Sequence, residues 1–236
     1  MAVESRRPSV IRPGLFSVEA AADRRRREFD HHNEAILHKQ VPVDVVFFGD
    51  SITHWWDVST YFGRAGRVVV NRGIGGDTSE YARRRFAADV LQLKPKYAVI
   101  LIGVNNTWAL DAWHPEERRT AEQICEEVVA DVESMLKAAQ EHGIVPILCS
   151  ILPTRIDRYA RNEERNRLIV RINGGLKDLA GRLNVIYVDY HTALADADGV
   201  TLREGLADDG LHPHVLGYDI MAAVLRETLA GHGIDL

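Results

Sequence analysis

Ser51 follows an apolar run that ends in Gly49-Asp50-Ser51. A serine hydroxyl is a weak nucleophile at neutral pH until a base takes its proton. Histidine suits that task because its pKa lies near neutrality, and a carboxylate on its far nitrogen fixes the tautomer and steadies the cation. Asp209 and His212 stand three residues apart in DDGLHPH, close enough for one loop turn to set both. Acyl transfer also places negative charge on the former carbonyl oxygen, which needs donors already in place. The Ser51 N–H at a helix start, an N–H from the Gly75-Gly76 turn of NRGIGGDT and the Asn105 amide of GVNNTW would supply three. Glycine suits that turn because it adopts positive φ and lets a substrate approach the backbone.

Each stretch has a plainer reading when taken alone. Asp50 or Ser51 caps a helix. Asp77 and Glu80 form a D-x-x-E cap, Asn105 is a turn residue, and Asp209 and His212 lie on a solvated loop. The joint reading gains weight from where the stretches fall, because each follows a segment of strand character. Apolar runs of strand length occur at 43–48, 67–70, 97–102, 144–151 and 185–188. They are nearly continuous and rich in Val and Ile, as strands buried on both faces are. Helical patterns lie between and after them, at 77–94, 115–142, 160–182 and 214–231. A polar, Arg-rich helix at 17–40 precedes them, with Val18, Ala22, Phe29, Ile36 and Leu37 on its buried side. Alternating strands and helices predict an α/β fold with a five-stranded, parallel, doubly wound sheet in flavodoxin-like order 2-1-3-4-5 and right-handed crossovers. Ligands of such sheets bind beyond the carboxyl ends of the strands, near the switch in strand order. Residues 1–16, with Pro8, Pro13 and Gly14, read as an extended arm that packs on a neighbouring subunit of a homo-oligomer, and 17–236 as a single domain.

The chain has 236 residues, 46% hydrophobic and 27% charged, with a net charge of -5. That balance is ordinary for a globular protein and argues against a general polyanion binder. No apolar run reaches the roughly 18 residues of a membrane span, and the first residues lack the apolar core of a secretory signal. Cys125 and Cys149 are the only cysteines and read as reduced, which points to the cytoplasm.

Taken together, GDSIT, GIGGDT, GVNN and DGLH resemble the GDSL, or SGNH, hydrolase superfamily, whose letters stand for a serine, a glycine, an asparagine and a histidine in separate blocks. The resemblance covers about 43–220. It implies Ser51 as nucleophile, Gly76 and Asn105 with Ser51 as the oxyanion hole, and Asp209 and His212 as the remaining catalytic pair. GIGGDT, LKPKYAVILIGVNN and LHPHVLGY look most like the branch of the platelet-activating-factor acetylhydrolase catalytic subunits. Val104 stands where many members carry Thr or Gly, next to the asparagine the chemistry needs. A three-layer α/β/α fold and cofactor-free, metal-free ester hydrolysis are implied.

Rival readings fit less well. An α/β-hydrolase elbow would need Gly where Thr53 stands, and a G-x-G-x-x-G frame begun at Gly73 ends on Thr78. His31, His32 and His38 read as an exposed helix face rather than a metal site, and His214 as a neighbour of the serine blocks. Arg24–Arg27 and Arg83–Arg85 read as solvated helix sides rather than a nucleic-acid surface. A catalytically silent binding protein on the same fold would be expected to have lost Ser51, Asp209 or His212. The expected reaction is hydrolysis of a small ester with a short, acetyl-type acyl group through an acyl-serine. Carbohydrate O-acetyl esters and lysophospholipase or thioesterase substrates are the alternatives. Trp55, Trp56 and Trp108 are candidates to line the substrate pocket.

Overall fold

The computed structural model describes residue 9 and residues 11–14, 21–157 and 159–236. Val18 and most of the expected arm lie outside the described residues. Within the arm, Ile11 N–H donates to Gln92 Oε1 (2.8 Å) and Arg12 pairs with Glu34 (2.8 Å), so this stretch lies against its own chain. Helix α1 (Ala21–Lys39) buries Ala22 and Phe29. The chain then forms β1 (Val45–Gly49), α2 (Ser51–Trp55), α3 (Val58–Phe62), β2 (Val69–Gly73) and α4 (Ser79–Asp89). It continues through β3 (Tyr97–Leu101), α5 (Ala121–Glu141), β4 (Val145–Cys149), α6 (Asn162–Leu183), β5 (Ile186–Val188), α7 (Tyr190–Leu194) and α8 (Val215–Gly231).

The strands form one sheet in the order β2-β1-β3-β4-β5, with every neighbouring pair parallel. All five residues of β1 are buried, as a central strand covered on both faces requires. Successive side chains point to opposite faces, and Phe47 and Phe48 show the two layers. Phe47 packs on Phe62 of α3 and on Trp56, whose ring stacks on Tyr218 of α8. Phe48 meets Phe86 of α4 edge-on, at 5.2 Å between ring centroids. Helices α4, α5 and α6 pack side by side on that second face. Buried residues recur at helical spacing there and on the first face, in Val128, Val132 and Leu136 of α5 and Met221, Leu225 and Leu229 of α8.

Register places the functional loops. Gly49 pairs with Gly73 on one side and Leu101 on the other, so the three strands end level at one rim. That rim lies at the switch in strand order, where the chain steps from β1 out to β2 and back to β3.

Two sequence expectations need correction. Strand β2 runs past its apolar stretch into Asn71-Arg72-Gly73, because the Asn71 amide and both terminal nitrogens of Arg72 find partners there. Asn71 Nδ2 donates to Thr53 O and Trp56 O, and the Arg72 guanidinium donates to Asn33 Oδ1. The arginine runs are not uniformly solvated either. Arg26 and Arg85 are buried, with exposures of 2% and 0%, while their neighbours Arg24, Arg27, Arg83 and Arg84 are exposed. Each buried arginine meets an aspartate four residues on, Asp30 for Arg26 and Asp89 for Arg85, and Arg26 also pairs with Asp89. Among the described residues no helix is long and apolar enough to cross a membrane.

Candidate active site

Strand β1 delivers Ser51 to the rim as the first residue of α2. Asp50 caps that helix, its carboxylate accepting the Ile52 N–H at 3.0 Å. Burial pushes the Asp50 carboxyl up to about 7, against the pull of that hydrogen bond. Asp50 thus supports the turn and leaves Ser51 to face the site. Helix α2 lies tight against β2: a Cβ on Gly73 would stand 2.1 Å from the His54 backbone nitrogen, so only glycine allows the approach.

The loop before α8 brings the partners. Asp209 Oδ1 accepts the backbone N–H groups of Leu211 (2.9 Å) and His212 (2.8 Å), a turn that orients its own carboxylate. Oδ2 lies 2.6 Å from His212 Nδ1, and His212 Nε2 lies 2.8 Å from Ser51 Oγ, 161 residues away in the chain. An ionised carboxylate only accepts, so Nδ1 carries a proton and Nε2 of the neutral ring is free to accept one from the serine. Partial burial would raise the Asp209 carboxyl, but the hydrogen bonds from His212 and Leu211 outweigh it and hold it below its ordinary value. Asp209, rather than Asp208, is the carboxylate on the imidazole. His214 instead caps α8, its Nδ1 accepting the Leu216 N–H.

The expected oxyanion groups gather at the same rim. Gly76 adopts φ +78°, the left-handed region that glycine enters without strain. A methyl on the preceding Gly75 would stand 3.9 Å from Ser51 Cβ, so this turn reaches the serine. Asn105 Nδ2 donates to Asp77 O (2.9 Å), which joins the asparagine loop to the glycine loop, and the amide has a second hydrogen to give. Its neighbour Asn106 accepts the Ser79 N–H at the start of α4 (3.0 Å). Asp77 makes no D-x-x-E cap; its carboxylate is held by Arg85.

Arg85 is the residue that sequence reasoning missed. Its wholly buried guanidinium donates to the Asp77 carboxylate (2.7 Å), Gly49 O (2.9 Å), Arg72 O (3.0 Å) and the Asp89 carboxylate (2.8 Å). One side chain therefore ties the end of β1, strand β2 and the glycine loop. Burial lowers its pKa, and Asp77 and Asp89 more than reverse that. Its place beside Phe86, and one turn before Asp89, was the available signal.

The tryptophans separate. The Trp55 indole lies over the His212 imidazole, with centroids 4.1 Å apart and planes at 36°, and is 58% exposed. Trp56 does not line the pocket: it is 2% exposed, within the core cluster of Phe47, Phe62 and Tyr218, because the helix ends there and turns the ring inward. Trp108 is half-buried, with the Arg165 guanidinium 3.5 Å from its ring centroid and Tyr159 at its edge. A cavity of ≈ 390 Å³ lies beside Asp209, with Arg155, Asp157, Arg203, Glu204 and Asp208 in its wall.

The model of the GDSL-like lipase/acylhydrolase family matches residues 47–220. A Bacillus subtilis (strain 168) protein named uncharacterized lipoprotein YqeF is 31% identical over 198 residues, covering 71% of this chain and 79% of its own. An acetylxylan esterase of Geobacillus stearothermophilus is 29% identical over 161 residues, covering 67% of this chain and 71% of its own. Among solved structures, a GDSL-like lipase from Bacteroides thetaiotaomicron VPI-5482 aligns with a TM-score of 0.73 at 25% identity, covering 90% of this chain and 100% of that one.

Proposed function

Because the chain belongs to the GDSL-like lipase/acylhydrolase family and is a carboxylic ester hydrolase, we propose that it cleaves short-chain, acetyl-type esters through an acyl-serine on Ser51. The observation that carries this reading is the hydrogen-bonded line Asp209–His212–Ser51, with distances of 2.6 and 2.8 Å. His212 takes the Ser51 proton as the oxygen attacks the ester carbonyl. The oxyanion is received by the N–H groups of Ser51 and Gly76 and by the Asn105 amide. His212 then protonates the departing alcohol. Water, deprotonated by the same nitrogen, attacks the acyl-serine and releases the acid, and the serine regains its proton. Replacing Ser51 by Ala removes the nucleophile and is expected to abolish hydrolysis of p-nitrophenyl acetate. Retained turnover in Ser51→Ala would contradict the reading.

The acyl preference is tested by a panel of p-nitrophenyl esters of increasing chain length. A rate maximum at acetyl to butyryl is expected, and a maximum beyond about eight carbons would favour a lysophospholipase or thioesterase. A second reading, carbohydrate O-acetyl esterase, draws support from the acetylxylan esterase relative, from the exposed indole of Trp55 and from the charged cavity wall beside Asp209. Acetate release from an acetylated xylo-oligosaccharide tests it. Cytoplasmic residence is part of the proposal, supported by the free thiols Cys125 and Cys149. Recovery of the native protein in the membrane fraction would contradict it.

A further inference from the structure

The two hydrogen bonds of His212, to Asp209 through Nδ1 and to Ser51 through Nε2, both lie at the edge of the ring. Bonds at the edge fix where the imidazole sits. They resist less well a swing of the ring about its Cβ–Cγ bond, which carries Nε2 out of line with Ser51 Oγ. A contact on the face of the ring is needed to stop that motion, and Trp55 supplies it at 4.1 Å between centroids. The two partners differ in rigidity. His212 rides on an irregular loop, whereas Trp55 rides on α2, which Asp50 caps at one end and Asn71 ties at the other through Thr53 O and Trp56 O. Trp55 is also one helical turn from Ser51, so one short helix carries both the nucleophile and the wall behind its base. With 58% of its surface in solvent, the indole does no core packing that would account for its position.

We propose that Trp55 is a positioning residue for the proposed base, holding the His212 ring in the plane of proton transfer with the face of its indole. This rests on the proposed roles of Ser51 and His212. The indole face also receives the positive ring formed when His212 takes the proton, a contact between cation and π-system that is favourable in its own right.

The test uses the full chain with p-nitrophenyl acetate. Trp55→Leu keeps apolar bulk but removes the flat face. Its kcat is expected to fall about ten- to a hundredfold, as for other small misplacements of a reacting group, with KM within about threefold. Trp55→Phe restores a flat face and is expected to recover most of the rate. A second readout is spectroscopic. A protonated imidazole stacked on an indole quenches its fluorescence, so the wild-type emission should carry a pH-dependent step that is missing from both Trp55→Phe and His212→Gln. Wild-type kcat in Trp55→Leu, with only KM raised, would overturn the proposal and leave Trp55 a substrate platform. A fluorescence step that survives in His212→Gln would overturn it as well, and this second readout holds even if Trp55→Leu folds poorly. The two layers fail separately: activity retained in Ser51→Ala sinks the serine reading, whereas Ser51-dependent activity untouched by Trp55→Leu sinks only this one.

Discussion

At the scale of single residues, two hydrogen bonds decide the protonation of His212. Asp209 holds the proton on Nδ1 and so leaves Nε2 to face Ser51 Oγ. Asp209→Asn offers an amide N–H to Nδ1 in place of an acceptor, which moves the ring proton to Nε2, and kcat is expected to fall on the order of 10⁴-fold at neutral pH. A loss under tenfold in steady-state assays would show that Asp209 does not set the tautomer. Asn105→Ala removes one of the proposed oxyanion donors and should cost on the order of 10²–10³ in kcat with KM little changed. It also frees Asp77 O, so a thermal melt of the same variant separates loss of a donor from loss of the loop. As candidates, these residues could be named from the sequence because serine, histidine, aspartate and asparagine in those blocks leave few alternatives. Trp56 was misassigned because an aromatic side chain near a nucleophile carries no mark of the face it takes. A helix of five residues that ends at Trp55 sends the next ring to the core.

At the scale of elements, the five strands, their parallel sheet and the loops after them follow from runs of Val and Ile separated by helical patterns, while the strand order was an expectation that the structure bears out. The tie between those elements did not follow from those runs. Arg85 sits in a run of three arginines, and a charge run is ordinarily a solvated helix side. Its position on α4 beside the apolar residues Ala82 and Phe86 places it inward, where Asp77, Asp89, Gly49 O and Arg72 O together satisfy it. A buried guanidinium cannot be removed without orphaning its partners. Arg85→Met is therefore expected to destabilise the fold by about 3–5 kcal/mol, measured by denaturant unfolding. Arg83→Met, two residues back on the other side of α4 with 44% of its side chain exposed, should cost far less. Equal losses from the two would show that the network around Arg85 does not hold the rim.

At the scale of the whole molecule, Asp50 links the site to stability. Its folded pKa, about 7, lies above the ordinary value of 3.8, so the folded chain binds a proton that the unfolded chain gives up. The stabilisation is complete below about 4 and is lost as pH rises through about 7. Asp50→Asn keeps a capping oxygen without the charge. Its melting temperature should exceed that of wild type at pH 8, and the gap should narrow as pH falls and close near pH 4; a gap independent of pH would mean that Asp50 is not protonated in the folded chain. The molecule as a whole brings together at one rim a serine after β1, a glycine turn after β2, an asparagine after β3 and a histidine before α8. Whether that rim forms a covalent acyl-serine is tested most directly by peptide mass spectrometry after treatment with a serine-reactive phosphonate. Stoichiometric adduct on the peptide that contains Ser51, with activity lost in proportion and no labelling in His212→Gln, is the expected result. Full inhibition with Ser51 unmodified would contradict the assignment of the nucleophile.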